Sequence, residues 1–93
     1  MTIDNIRSEI DRLDDELLKI FNHRADLALK IGAIKKDSGL AVYDPEREKK
    51  IFLRMKTENP GPLDDHAIVR LFERVIDESR RLERIMNFPT KEE

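Results

Sequence analysis

Apolar residues recur along the first third of the chain at Ile3, Ile6, Ile10, Leu13, Leu17 and Ile20, and again at Leu27, Ile31 and Ile34. The steps alternate between three and four residues, which is the spacing of a helix carrying a coiled-coil-like seam. Apart from Gly32, no residue from Thr2 to Asp37 is Gly or Pro. The pattern therefore predicts a first helix over about residues 3–37. Thr2 offers an N-cap oxygen, Asp4 suits the positive end of the helix dipole, and Lys35 and Lys36 suit the negative end. Gly39 is placed to stop the helix. Leu40 to Tyr43 reads as a connector, with Tyr43 as a hydrophobic plug. Asp44-Pro45 then sets an N-cap before a proline at the first helical position. This starts a second helix over about 45–57, with Ile51, Phe52 and Met55 inward. Asn59-Pro60-Gly61-Pro62 breaks the chain. A third helix follows over about 64–86, with Ile68, Leu71, Phe72, Val75, Ile76, Leu82 and Met86 on one face. No segment alternates with period two, so no strand is expected. The expectation is a single all-α domain over residues 1–93, ending in a solvated tail from Asn87 to Glu93.

The first helix is too long for its own domain. About 35 residues of helix span about 50 Å, whereas a compact chain of 93 residues has a diameter of about 30–35 Å. The far end needs another surface, and a second copy of the chain is its simplest source. Composition points the same way. The chain is small enough to need a disulfide, a metal or a partner, and it contains no cysteine. His23 and His66 stand far apart with no metal-ligand spacing, and both read as solvated positions. That leaves a partner chain.

Charged residues make up 41% of the sequence, yet the formal net charge is only −2. Such balance provides no basic field for nucleic acid and no cationic face for a membrane. No apolar run is long enough to span a bilayer, and the N-terminus lacks the pattern of a signal peptide. The expected compartment is the cytoplasm. No Gly-rich phosphate loop or nucleophile–base arrangement is present either.

The informative positions are those where a polar residue interrupts an apolar stripe. Arg24 falls between Ile20 and Leu27, where the seam calls for a leucine. Lys35 follows it by 11 residues, about 1100° of helical rotation and so nearly the same face. Arg47 and Glu48 extend the inward stripe of the second helix, one turn before Ile51 and Phe52. Ser79 and Glu83 occupy stripe positions of the third. Arginine and lysine stems can snorkel outward, and an Arg24–Glu48 pair can be purely structural. Desolvated charges are costly unless paired, however, and here they interrupt all three helices. Their distribution points to a ligand that supplies counter-charge, and the cations favour an anion with carboxylates gripped by arginine forks. Arg80, Arg81 and Arg84 read as the wet face of the third helix, with Arg80 bordering the pocket at most.

The sequence resembles the all-α chorismate mutase family from Ile3 to about Met86. The resemblance rests on I-x-x-L-D-x-x-L-L at Ile10–Leu18, the arginine at Arg24, and I-G-x-x-K at Ile31–Lys35. It continues through D-P-E-R-E at Asp44–Glu48 and L-F-x-x-V-I-x-x-S-x-x-L-E at Leu71–Glu83. The resemblance implies a domain-swapped homodimer of three-helix chains that turns chorismate into prephenate without cofactor or metal. It implies that Arg24 and Arg7 hold the two substrate carboxylates, and that Lys35 and Glu83 face the ether oxygen. Asp44 and Glu48 would position the ring hydroxyl, with Arg47 supporting them and Ser79 assisting at the ring carboxylate. Arg7 lies about 25 Å along the helix from Arg24, too far to touch the same small substrate. The resemblance implies that it serves the partner's site instead. Glutamate at position 83 can donate a hydrogen bond only when protonated, so burial is expected to raise its pKa. Two other readings remain: an isochorismate–pyruvate lyase, disfavoured by the acid at Asp44, and a non-catalytic helical dimerisation module, which leaves Arg24, Ser79 and Glu83 unexplained.

Overall fold

The structure, a computed structural model, describes residues 1–87. It contains three helices, α1 (Ile3–Ser38), α2 (Pro45–Glu58) and α3 (Asp65–Asn87), and no strand among the described residues. Each start is locally encoded. Thr2 Oγ1 accepts from the Asn5 amide at 3.1 Å, Asp44 Oδ1 from the Arg47 amide at 3.1 Å, and Asp64 Oδ1 from the Ala67 amide at 2.7 Å. Each bond satisfies an amide that the first helical turn leaves unpartnered. The end of α1 is equally specific. Gly39 takes the left-handed conformation at φ 71°. Its amide donates to the Lys36 carbonyl at 3.3 Å, and the Leu40 amide to the Lys35 carbonyl at 2.7 Å. This doubly bonded closure favours glycine at the turning residue.

The break between α2 and α3 is organised by Asn59. Its Nδ2 donates to the Leu63 carbonyl at 2.8 Å and to Asp65 Oδ1 at 3.0 Å, while its Oδ1 accepts from the Gly61 amide at 3.1 Å. Asparagine, with donors and an acceptor on one short stem, can bind both arms of the turn at once.

α3 is the shared element, packing against both α1 and α2. It covers only the second half of α1, because every residue from Met1 to His23 is exposed. The chain accordingly measures 55 × 29 × 20 Å with a radius of gyration of 16.6 Å, against about 12 Å for a compact chain of this length. Among the described residues the buried apolar side chains are Ile51 and Ile76, at 5% and 7% exposure.

Several expectations need correction. Leu71 and Met86 are exposed rather than inward. Leu71 lies about 140° around α3 from Ile76, away from the stripe that meets α1 and α2, whereas Met86 shares the sector of the half-buried Ile68 and Val75 but stands in the last turn of the helix. Tyr43 is no plug, since it remains 57% exposed with its ring beside Arg80. Asn87 is the last residue of α3 rather than tail, and its Nδ2 donates to the Leu29 carbonyl at 3.4 Å. The rest of the expected tail lies outside the described residues.

Candidate active site

The second half of α1, the start of α2 and the middle of α3 enclose a cavity of about 490 Å³, within the range of small-molecule sites. Leu27, Ile31, Ile51 and Ile76 give it an apolar floor. Around that floor stand Arg24, Lys35, Asp44, Arg47, Glu48, Ser79 and Glu83. Arg7 stays apart, on the exposed half of α1. His23 and His66 are exposed as well. Among the described residues, no group of three or more His, Cys, Asp or Glu is placed to hold a metal ion.

Helical spacing accounts for much of this convergence. Arg24 is the first residue of α1 to lose solvent, where α3 begins to cover the helix. Its Nη1 donates to Ser79 Oγ at 3.2 Å. Ser79 and Glu83, one turn apart on α3, are both buried, at 9% and 7% exposure. Lys35 Nζ donates to the Val42 carbonyl at 3.2 Å, which ties the end of α1 to the connector. Asp44 caps α2 and so lies at the cavity rim beside Arg47. Arg47 is exposed, a departure from its expected inward placement, whereas Glu48 is half-buried. Glu48 and Arg47 lie about 60° and about 40° to either side of the buried Ile51, and it is the Glu48 side that meets Arg80 of α3.

Sequence reasoning undervalued Arg80. Of its two readings, wet face or pocket border, the second holds: Arg80 lines the cavity and pairs with Glu48, Nη1 to Oε2 at 2.9 Å. Its Nη2 meets Asp77 Oδ1 at 2.7 Å, and its guanidinium lies 4.8 Å from the centre of the Tyr43 ring. A signal was available in the chain: Ile76, Arg80 and Glu83 follow the i, i+4, i+7 rule of one helix face.

Gly32 also escaped notice. It is buried, and a Cβ there would lie 2.6 Å from Asn87 Nδ2 and 3.2 Å from Glu83 Cγ. The missing side chain lets α3 rest against the backbone of α1 beside the site.

The electrostatics are those of an anion site. Desolvation by burial is the main cause that lowers the Arg24 pKa, followed by repulsion from Arg47 and Arg54, with Glu83 opposing. Burial raises the Glu83 pKa above the ordinary carboxyl value, while Lys35, Arg24 and Arg80 pull it down. Among the described residues, neither Arg24, Lys35 nor Arg47 has a carboxylate within ion-pair distance, although Arg80 has two. The cavity thus holds excess cation, hydrogen-bonding groups at several heights and one carboxyl whose pKa burial raises.

Known proteins resemble the chain in sequence and in fold. The chain is 40% identical over 83 residues to a bifunctional chorismate mutase/prephenate dehydratase of Aquifex aeolicus, covering 85% of this chain and 23% of that protein. A similar bifunctional protein of Neisseria gonorrhoeae is 41% identical over 87 residues, covering 89% of this chain and 24% of its own. The chain therefore spans about a quarter of the length of these relatives. Against a chorismate mutase of Methanocaldococcus jannaschii it is 32% identical over 80 residues, covering 85% of this chain and 81% of that one. The fold matches a solved chorismate mutase (Form II) of Thermus thermophilus with a TM-score of 0.89 and 35% identity, covering 91% and 97% of the two chains. The chorismate mutase type II family model matches residues 6–84, and the fold agrees with that of a solved member, so the chain belongs to that family.

Proposed function

We propose that the protein is a chorismate mutase: it rearranges chorismate to prephenate and acts as an intertwined homodimer. The observation that carries this reading is the convergence of Arg24, Lys35 and Arg47 on one cavity with no carboxylate among the described residues paired to any of them. Chorismate carries two carboxylates and would neutralise such an excess.

The reaction asks little chemistry of the protein. One ether C–O bond breaks as one C–C bond forms, in a single pericyclic step. No proton, electron or group is transferred, so the reaction itself calls for no cofactor or metal. The enzyme must fold the enolpyruvyl arm over the ring and hold it there, a task of orientation that can lower a barrier by about 7–11 kcal/mol in favourable cases. Arg24, already braced by Ser79, would grip one carboxylate with its fork. The partner's Arg7 would grip the other. Asp44 and Glu48 would accept from the ring hydroxyl, with Arg47 supporting them, and Ser79 would also assist at the ring carboxylate. As the ether C–O bond breaks, negative charge gathers on its oxygen. Lys35 and a protonated Glu83 would donate to it; a single such donor contributes about 3–4 kcal/mol to a transition state.

The dimer is supported by what the single chain leaves uncovered. Ile3, Ile6, Ile10, Leu13, Leu17 and Ile20 are all at least 41% exposed, and they form one continuous seam. A chain with so small a core of its own gains stability by burying that seam against another copy. The same contact would bring Arg7 to the partner's cavity.

The deciding experiment follows the loss of chorismate absorbance with purified protein and no added metal or cofactor, beside an Arg24→Ala control. Prephenate formation that collapses in the variant is the expected result. An inactive but folded protein overturns the proposal, and isochorismate would then be tried for lyase chemistry.

A further inference from the structure

The cavity holds one arginine that is already neutralised. Arg80 sends one nitrogen to Glu48 and another to Asp77, and its guanidinium carbon lies over the Tyr43 ring. Its side chain is 22% exposed and that of Glu48 19%. A cation with both arms of its fork on carboxylates has little left to offer a dianionic substrate. What it can do is hold its neighbours. Asp77, one turn earlier on α3, fixes one side of the guanidinium, and the cation–π contact with Tyr43 restrains it further. The remaining arm takes Glu48 Oε2, and among the described residues no hydrogen bond uses Oε1.

We propose that Arg80 is a positioning residue for the same reaction: it acts through Glu48, aiming the free oxygen of that carboxylate at the substrate's ring hydroxyl. The proposal rests on the chorismate reading. Arg80 joins three parts of the chain, α3 through Asp77, α2 through Glu48 and the α1–α2 connector through Tyr43. The carboxylate is thereby held in one orientation before substrate arrives, so its ordering entropy is not charged to binding. A planar fork can brace two carboxylates at once, which a lysine ammonium on a flexible stem does poorly.

The test compares Arg80→Met with the parent on two substrates, chorismate and an analogue lacking the ring hydroxyl. Thermal melting and oligomeric state are measured alongside. Arg80→Met is expected to lower kcat/KM for chorismate by about 10- to 30-fold, the scale of one charge-assisted hydrogen bond. On the analogue the two proteins should differ by less than about twofold, because the group that Glu48 serves is missing. In a Glu48→Gln background, adding Arg80→Met should likewise cost less than about twofold. Arg80→Lys should recover part of the loss, and it carries the same two-substrate comparison if the methionine variant does not fold. Equal losses on both substrates, additive losses in the Glu48→Gln background, or no loss at all each overturn the role of Arg80. An inactive parent overturns the chorismate reading instead, and this inference with it.

Discussion

Replacing Gly32 by alanine separates what this fold needs for stability from what its site needs for chemistry. Alanine in the interior of a helix gains about 0.5–1 kcal/mol over glycine. Against that gain stand two contacts. The new Cβ would lie 2.6 Å from Asn87 Nδ2, a distance that forces a move. The move is cheap, because Asn87 closes α3 and its bond to the Leu29 carbonyl is long at 3.4 Å, worth about 0.5 kcal/mol. The second contact is harder to relieve. Glu83 Cγ at 3.2 Å and Cβ at 3.4 Å belong to a buried residue in the middle of the site. To restore ordinary packing, α3 must retreat by a few tenths of an ångström. Net stability should therefore change by less than about 1 kcal/mol, while the Glu83 carboxyl is displaced from the ether oxygen. A misplacement of about 1 Å can cost a hundredfold in rate, so a few tenths should cost about three- to tenfold in kcat. Urea unfolding gives the first quantity and chorismate turnover the second. An unchanged kcat at unchanged stability would refute the claim that this close approach positions Glu83. Loss of more than about 3 kcal/mol, the scale of a severe core defect, would show that the glycine serves packing alone.

Other substitutions probe separate parts of the site. Burial raises the Glu83 pKa, and the neutral acid is the donating form, so activity should fall about tenfold per pH unit once pH passes that pKa. Because the folded-state pKa is the raised one, any stability gained from the neutral acid is also lost as pH rises through it. Glu83→Gln should flatten both profiles, and a break that persists in the turnover profile of that variant counts against Glu83 as donor. Asp44→Asn should keep the cap of α2, since asparagine caps as well as aspartate, whereas Asp44→Ala should cost about 1 kcal/mol of stability. Both should lose turnover through the missing acceptor; full activity in the asparagine variant would reduce Asp44 to a cap. Arg7→Ala and Arg24→Ala should each be nearly inactive alone. Unfolded and refolded together in equal amounts, they should regain about a quarter of parental activity, because half of the random dimers then contain one intact site of two. No recovery on mixing would argue against a shared site.

Much of this arrangement was legible in the chain because its causes are local. Helix starts follow from Thr2, Asp44 and Asp64 bonding amides three residues on, and the stop after α1 follows from Gly39. Arg24, Lys35, Glu48, Ser79 and Glu83 stood out as polar residues on apolar stripes, and periodicity alone brings each to the face where the helices meet. What escaped depends on how one helix sits against another. Arg80 is inward only because α2 presents Glu48 at that height of α3, a register no local rule supplies. Tyr43 reads as a core residue by type, yet it serves as an exposed platform for that arginine. Gly32 looks like a weak point in α1 until α3 is laid across it, and Asn59 looks like any residue before a proline until both arms of its turn are drawn in.

The polar site and the exposed seam share a physical origin. Ser79 and Glu83 are buried where α3 meets α1, and Arg24 projects into the same contact. A monomeric three-helix protein would fill those positions with leucine or isoleucine and stabilise itself there. This chain instead leaves that interior to groups that, on the proposed reading, a substrate satisfies, and among the described residues the buried apolar side chains that remain are Ile51 and Ile76. The missing stabilisation has to come from elsewhere, and the exposed half of α1 supplies the means: an apolar seam free to pair with another chain. In the proposed dimer that pairing offsets the cost of a charged core and delivers Arg7 to the neighbouring cavity. Lengthening α1 beyond its own globule is then one solution to two requirements, a site with more cations than one chain can place and a fold with less core than one chain needs.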